Sequence, residues 1–210
     1  MTQALLVVGG YLAGSLPFGY WLVRWFRGAD IRTVGSGNIG ATNVWRTYGA
    51  RLGIAVMMLD TVKGFVPAFV ATLWVGSLWG VVAGAAAMLG HSRPVFLKFA
   101  RGGKMVATCG GAFLGVAPVV GGIGAAVWII VFVAFRYASV ASIAAALSLP
   151  LVAFGLGEPW PVIAFAAAAA LAVLFLHRAN VRRLRTGTEG KIQLRRGKDQ
   201  PAGKDQPAGA

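Results

Sequence analysis

Seven apolar segments constrain the fold of this chain more than any other feature of its sequence. An α-helix needs about 20 predominantly apolar residues to cross a bilayer, and all backbone polar groups must be satisfied inside it. The segments lie at residues 3–23, 52–74, 78–89, 105–116, 119–135, 139–156 and 160–176. We therefore expect an all-α integral membrane protein, a compact bundle of about seven transmembrane helices with a kink at Pro17. If two short segments do not cross, five spans remain.

The composition supports a membrane protein without a sizeable soluble domain. Of the 210 residues, 57% are hydrophobic and 12% are charged, whereas soluble domains carry about 25% charged residues. We expect one polytopic membrane domain over residues 1–191 and a polar, disordered tail over residues 192–210. The tail contains the hexapeptide Gly-Lys-Asp-Gln-Pro-Ala twice, and such a low-complexity sequence cannot bury a core.

The net charge of +14 arises from 20 Lys and Arg against 6 Asp and Glu. Membrane proteins carry basic cytoplasmic loops, so this charge does not indicate a nucleic-acid partner. A single cysteine, Cys109, excludes an intrachain disulfide. The two histidines are not part of a Cys/His cluster, and we expect neither a metal nor another cofactor.

The positions of Lys and Arg predict the orientation. The connections near residues 1–2, 75–77, 117–118 and 157–159 contain neither residue type. The positive-inside rule then places the N-terminus outside and the C-terminus in the cytoplasm. Lys63 is an exception within a span. It follows Asp60 by three residues, so the two share a helix face and can pair, either as a structural ion pair or with one of them facing a site.

Three polar stretches share the predicted cytoplasmic side, and each carries groups that suit a phosphate. They are residues 34–46, residues 91–104 and the segment from His177 onward. Glycines let backbone N–H groups approach an anion, and an arginine offers a planar fork of donors. The candidate binding residues are Gly35, Gly37, Asn38, Gly40, Thr42, Asn43, Gly102 and Gly103. The candidate catalytic residues are Ser36, Arg46, Lys104, His177 and Asn180.

Two alternative interpretations of these stretches involve no phosphate site. The first stretch, residues 34–46, is also compatible with a flexible loop between two spans. Arg182, Arg183 and Arg185 also suit contact with anionic lipid headgroups. A Walker A loop is excluded because Lys104 is followed by Met105. The His-x-x-x-x-Asp signature of many acyltransferases is excluded because the residues five after His91 and His177 are Phe96 and Arg182.

The polar stretches together resemble one family. They read Gly35-Ser-Gly-Asn-Ile-Gly-Ala-Thr-Asn43 with Arg46, Gly90-His-Ser-Arg-Pro-Val-Phe96, Gly102-Gly-Lys-Met-Val-Ala-Thr108, and His177-x-x-Asn180-Val-x-Arg-Leu-x-x-Gly-Thr-Glu189. This order resembles the acyl-phosphate:glycerol-3-phosphate acyltransferase family (PlsY), over almost the whole chain up to residue 191.

The resemblance implies a seven-helix bundle in the bacterial cytoplasmic (inner) membrane, with the active site facing the cytoplasm. It implies transfer of an acyl group from acyl phosphate to the 1-hydroxyl of sn-glycerol 3-phosphate, the first acylation step of phospholipid synthesis. The products are lysophosphatidic acid and phosphate. The expected partners are these two substrates and membrane lipid, and we expect a monomer.

The donor is already activated, so we expect direct attack without a covalent acyl-enzyme. Ser36, Thr42, Asn43, Arg46 and Lys104 are assigned to phosphate and oxyanion binding. His177 and Asn180 are assigned to the glycerol phosphate or the leaving phosphate. The proton of the attacking hydroxyl passes to a substrate phosphate in one hypothesis and to His177 in the other.

One position departs from the family pattern that we expect, Gly-Gly-Lys-Gly-Val-Ala-Thr. Met105 replaces the glycine after the lysine, and we expect its side chain to crowd a phosphate there. Gly84, Gly110, Gly111 and Gly115 either leave room for an acyl chain or serve close helix packing. A transporter for a phosphorylated anion is the alternative function, although no inverted repeat is visible. A purely structural membrane protein would leave the three motifs unexplained.

Overall fold

The computed structural model describes residues 1–193, and this part of the chain folds into helices without a β-strand. The α-helices are α1 (Thr2–Gly14), α2 (Phe18–Arg27), α3 (Ala41–Tyr48), α4 (Ala50–Val75), α5 (Ser77–Ser92), α6 (Val106–Val116), α7 (Pro118–Phe135), α8 (Ala138–Gly155), α9 (Trp160–Leu176) and α10 (Arg178–Arg185). Short 3-10 turns lie at Ile31–Thr33 and Val95–Leu97. The all-α prediction is confirmed, and the apolar segments coincide with helices.

Four helical stretches are long and apolar enough to cross a membrane: Thr2–Arg27, Ala50–Val75, Pro118–Phe135 and Ala138–Gly155. The pair α9 and α10, bent by 55°, would make a fifth. Thus the described residues contain four or five full-length candidates, fewer than the seven expected. Helix α6 has only 11 residues, fewer than the about 20 that one helix needs to cross a bilayer unaided.

The first apolar segment forms two helices because Pro17 interrupts it. Proline has no N–H to donate and its ring clashes with the preceding turn, so α1 ends at Gly14 and α2 begins at Phe18. At the break the carbonyl of Leu16 accepts the N–H of Phe18 at 3.1 Å and a hydrogen bond of 2.8 Å from Nζ of Lys63 in α4. The predicted kink is therefore a break that a buried lysine stabilises.

Glycines bring the helix backbones into contact. Helices α4 and α6 share the most extensive interface. A Cβ at Gly64 would overlap the carbonyl of Thr108, and a Cβ at Gly111 would overlap the carbonyl of Thr61. Close approach of this kind is the usual way that helices associate where no water drives packing.

The main apolar core lies between α5, α6, α7, α8 and α9. Phe113 of α6 is fully buried and stacks on Phe165 of α9, with 4.8 Å between ring centroids. Ile192 is also buried, and its N–H donates to the carbonyl of Arg136 at 2.9 Å. Packing therefore continues past the expected boundary at residue 191, because Ile192 fills a space beside α7 and α8. The rest of the predicted tail, 194–210, lies outside the described residues.

Candidate active site

The three polar stretches predicted to meet border one cavity of about 310 Å³. The polar stretches line one end of the cavity, which we call its mouth, and apolar residues of α6, α7 and α8 line much of the remainder. Of the predicted site residues, those that border the cavity are Ser36, Asn38, Gly40, Thr42, Asn43, Arg46, Lys104, His177 and Asn180. Gly35, Gly37, Gly102 and Gly103 are not among its lining residues.

Asn43 holds the glycine-rich stretch in shape. The expected loop at residues 34–46 is only partly a loop, because α3 begins at Ala41 and carries Asn43. The Asn43 side chain donates to the carbonyls of Val34 at 3.0 Å and Asn38 at 2.9 Å, and its Oδ1 accepts the N–H of Ser36 at 3.0 Å. Its side-chain amide is thereby occupied by the backbone of the chain itself.

The glycines on either side of Ser36 allow this shape. Gly35 has φ of 61° and Gly37 has φ of 67°, a left-handed conformation that a residue with a Cβ adopts at a cost of about 1 kcal/mol. A Cβ at Gly35 would also lie 2.5 Å from Oδ1 of Asn43. These glycines support the cavity wall from behind rather than forming it.

The second glycine pair packs against α5 and presents Lys104. The N–H of Gly103 donates to the carbonyl of His91 at 3.0 Å, and a Cβ at Gly103 would overlap the His91 imidazole. Asn38 joins the two glycine-rich stretches, since its Nδ2 donates to the carbonyl of Gly102 at 3.1 Å. The first two polar stretches are therefore joined directly by a hydrogen bond.

Met105 does not crowd the phosphate region, so that expectation is wrong. Its backbone is left-handed, with φ of 68°, which explains why glycine suits this position. The conformation turns the side chain away from the cavity and into the main core, where Met105 is buried beside Met88 and Cys109. Lys104, its neighbour, instead faces the cavity.

Lys104 reaches the third polar stretch by donating from Nζ to Oδ1 of Asn180, at 2.5 Å. Burial and the nearby Arg183 guanidinium lower the pKa of Lys104 to about 8. Among the described residues Lys104 has no carboxylate within ion-pair distance. Its charge is therefore available to an anion in the cavity.

Glu189 borders the cavity at its mouth, although it is not among the site residues predicted from the sequence. Its Oε1 accepts from Ser139 at 3.0 Å and Asn180 at 2.8 Å, and its Oε2 accepts from Nε of Arg183 at 2.7 Å. Burial opposes its ionisation, but these hydrogen bonds outweigh burial and lower the pKa of Glu189. The only sequence signal was its place at the end of the third motif.

Arg46 completes this group. Its Nη2 donates to the carbonyl of Gly190 and lies 3.6 Å from Oε1 of Glu189. Its Nε is buried and has no hydrogen-bond partner within residues 1–193. We define the mouth cluster as Arg46, Lys104, Asn180, Arg183 and Glu189.

His177 occupies the break between α9 and α10. Its Nδ1 lies 2.8 Å from the carbonyl of Val173. A carbonyl oxygen only accepts, so Nδ1 carries a proton and Nε2 remains as the other ring nitrogen. His177 borders the cavity together with Asn180.

A second buried polar group, which we call the inner cluster, consists of Asp60, Lys63 and His91. Nζ of Lys63 lies 2.7 Å from Oδ1 of Asp60, which confirms the predicted ion pair. Nδ1 of His91 lies 3.7 Å from the same oxygen. Asp60 and His91 border the cavity, although they sit within α4 and α5.

Comparison with known proteins places these features in a family. A family model described as glycerol-3-phosphate acyltransferase matches residues 4–187. A protein named glycerol-3-phosphate acyltransferase from Geotalea daltonii is 43% identical over 189 residues, covering 90% of this chain and 96% of that protein. One of the same name from Desulforudis audaxviator is 46% identical, covering 91% and 97%. The chain belongs to the glycerol-3-phosphate acyltransferase family.

Solved structures of this family share the fold. Crystal structures of PlsY (YgiH), described as an integral membrane glycerol 3-phosphate acyltransferase, are similar in a glycerol 3-phosphate form and a lysophosphatidic acid form. The first has a TM-score of 0.87 at 40% identity and covers 92% of this chain and 96% of that one. The second has a TM-score of 0.85 at 38% identity, with coverage of 92% and 97%.

Proposed function

We propose that this protein transfers an acyl group from acyl phosphate to the 1-hydroxyl of sn-glycerol 3-phosphate. The products are lysophosphatidic acid and inorganic phosphate. Membership of the family supports the acceptor, since the similar PlsY structures are described as glycerol 3-phosphate and lysophosphatidic acid forms. The observation that carries the proposal is the cavity itself, in which a cationic mouth opens into an apolar groove.

The mouth cluster suits a dianionic group. Arg46, Lys104 and Arg183 supply three positive charges, and Glu189 offsets one of them. Charge-assisted donors of this kind hold phosphate oxygens and stabilise charge that develops during acyl transfer. Lys104 is protonated below about pH 8 and can donate to the bridging oxygen of the donor as that bond breaks.

The reaction needs no enzyme nucleophile. The 1-hydroxyl oxygen attacks the acyl carbon, the bond from that carbon to the phosphate oxygen breaks, and phosphate leaves with the electron pair. The hydroxyl proton passes to a phosphate oxygen, which is the base that the proposal favours. His177 is the competing base, and a His177→Gln variant that keeps most of the turnover would exclude it as an obligatory one.

The topology is part of the proposal. We propose a multi-pass bundle of seven helices in the inner membrane, with the N-terminus outside and the mouth cluster facing the cytoplasm, and a monomer as the active species. The basic residues of the mouth support this orientation through the positive-inside rule. Labelling of single cysteines in a Cys109→Ala background, at Thr2 and at Thr188, tests it from each side of sealed vesicles.

The proposal predicts a strict donor requirement. Purified protein is incubated with glycerol 3-phosphate and, in separate reactions, palmitoyl phosphate, palmitoyl-coenzyme A or a palmitoylated carrier protein. We expect lysophosphatidic acid only from palmitoyl phosphate, with one phosphate released for each product molecule and none released when glycerol replaces glycerol 3-phosphate. Product from a thioester donor but not from palmitoyl phosphate would contradict the proposed donor.

A further inference from the structure

The apolar part of the cavity runs beside α6. Lys104 precedes α6 at the mouth, and the helix then continues past Gly110 and Leu114, which both border the cavity. At about 1.5 Å per residue, Leu114 lies about 6 Å deeper than Gly110 along the helix axis. Position along α6 therefore corresponds to distance from the mouth. The groove beyond Gly110 is bordered by Leu114, Gly121, Gly124, Ala145 and Leu149.

Gly110 differs from the other glycines of α6. Gly111 packs on α4, where a Cβ would overlap the carbonyl of Thr61. Gly115 also packs there, where a Cβ would lie 2.8 Å from the carbonyl of Phe65. At Gly110 a Cβ would have no atom within 4 Å, apart from its own helix backbone and chain neighbours. Packing thus explains two of these glycines and leaves Gly110 unexplained.

Backbone conformation does not require glycine at position 110 either. The residue lies inside a regular helix and is not among those with positive φ. Glycine within a helix is less favourable than alanine, so its presence here calls for another reason. That reason is the empty volume, because any side chain at this position would project into the cavity.

The opposite wall of the groove is closed. A Cβ at Gly124 of α7 would lie 2.7 Å from Cδ2 of Leu149 in α8, so these two helices already touch. Leu149 is buried in the main core and cannot yield space easily. The free width of the groove is therefore set on the α6 side.

We infer that Gly110 determines acyl-chain length, because its missing side chain lets the chain of the donor pass from the mouth cluster into the groove between α6, α7 and α8. The inference rests on the proposed function, since it takes the acyl chain of acyl phosphate as the occupant. A side chain at position 110 would divide the groove, leaving room for the first carbons of the donor and excluding the remainder.

The test compares octanoyl phosphate and palmitoyl phosphate as donors for the wild-type enzyme and for Gly110→Ala and Gly110→Leu. At saturating glycerol 3-phosphate, Gly110→Leu is expected to lower kcat/KM for palmitoyl phosphate by at least about tenfold and to change that for octanoyl phosphate by less than about threefold. Gly110→Ala is expected to shift the ratio in the same direction by a smaller factor. The KM for glycerol 3-phosphate should stay constant.

Gly122→Leu is the matched control. Gly122 lies in α7 on the exposed surface, a Cβ there would have no atom within 4 Å, and the residue does not border the cavity. This variant should keep the wild-type ratio of the two donors. An unchanged ratio in both Gly110 variants, or an equal loss for both donors in folded protein, would overturn the inference.

A binding measurement separates the inference from the proposed function. Octyl phosphate and hexadecyl phosphate resemble the donors but cannot transfer a chain. If the wild-type protein fails to turn over either donor, the proposed function fails, and the role of Gly110 is tested by the affinities for these two compounds alone. Weaker binding of hexadecyl phosphate but not of octyl phosphate to Gly110→Leu would support the role of Gly110, and equal affinities of wild-type and variant for both compounds would refute it.

Discussion

The inner cluster and the mouth cluster border the same cavity, yet their charges are compensated differently. In the inner cluster the ammonium of Lys63 contacts the carboxylate of Asp60 and the carbonyl of Leu16, so the formal charges of Lys63 and Asp60 cancel. In the mouth cluster three cations face the single carboxylate of Glu189, which leaves a formal excess of two positive charges. The inner cluster has its partners within the helices, whereas the excess charge of the mouth cluster is not balanced within residues 1–193.

This difference separates two uses of buried charge. A buried ion pair contributes little net stability, but the removal of one partner costs about 3–5 kcal/mol because the other charge remains buried and unpaired. Lys63 also donates to the carbonyl of Leu16 at the break beside Pro17, which gives it a structural role. The mouth cluster has the opposite character: its excess charge is unfavourable in the empty protein, and we propose that a bound phosphate compensates it.

The largest expected effect is that of Lys104→Met at the mouth. Removing this ammonium should lower kcat/KM for acyl transfer by about 10²–10³-fold, the usual cost of losing one donor that stabilises developing charge. Folding should be preserved, as judged by the thermal unfolding midpoint. Lys98→Met, which changes an exposed lysine of the same loop, is the control and should retain wild-type activity. A Lys104→Met enzyme within about threefold of wild type would remove the mouth cluster from the mechanism.

The pH dependence of acyl transfer sharpens the same point. The Lys104 pKa lies at about 8, below its ordinary value, so the charged form predominates below that pH and disappears above it. We expect kcat/KM to fall by about tenfold per pH unit above pH 8, with the slope starting at higher pH in Lys104→Arg because a guanidinium stays protonated. A profile that is flat from pH 7 to 10 would contradict the role of the ammonium.

Asp60→Asn should lower stability and leave substrate binding intact, the reverse of what we expect for Lys104→Met. The substitution leaves Lys63 as an unpaired buried cation, so we expect a loss of about 3 kcal/mol or more in stability, seen as a lower unfolding midpoint. At a temperature where the variant is folded, the KM for glycerol 3-phosphate should change by less than about threefold. An intact unfolding midpoint with a strongly raised KM would show that the inner cluster binds substrate and would abolish the distinction.

Met105→Gly is expected to have the smallest effect. Glycine would remove the cost of a left-handed backbone, about 1 kcal/mol. It would also remove a buried side chain, whose burial contributes about 1.5–3 kcal/mol to stability. The net result should be a slight loss of stability with kcat/KM within about twofold of wild type, measured with palmitoyl phosphate. A large gain in activity would mean that Met105 does obstruct the mouth.

The sequence predicts the helices well because the membrane imposes long apolar runs, and it predicts the Asp60–Lys63 pair because residues three apart share a helix face. It also predicts that His177 and Lys104 lie on the same side of the bundle. The function of Asn43 could not be predicted in this way. Whether an amide binds a ligand or its own backbone depends on where the carbonyls of Val34 and Asn38 lie in space.

Glu189 and Met105 were difficult for related reasons. Glu189 follows Asn180 by nine residues, beyond the end of α10, and only the turn after that helix brings its carboxylate back to Asn180. Met105 has a side-chain direction set by a positive φ, which the sequence does not reveal for a residue other than glycine. Local patterns predict elements, whereas these contacts depend on how the chain turns between them.

The most direct test of the account is calorimetric titration of glycerol 3-phosphate into wild-type protein, Arg46→Gln and Asp60→Asn under the same conditions. If the excess charge of the mouth cluster binds phosphate, Arg46→Gln should weaken the affinity by at least about tenfold, in line with the loss of a charge-assisted hydrogen bond. Asp60→Asn should bind as the wild type does, within about threefold. Full affinity in Arg46→Gln, together with lost binding in folded Asp60→Asn, would contradict the account.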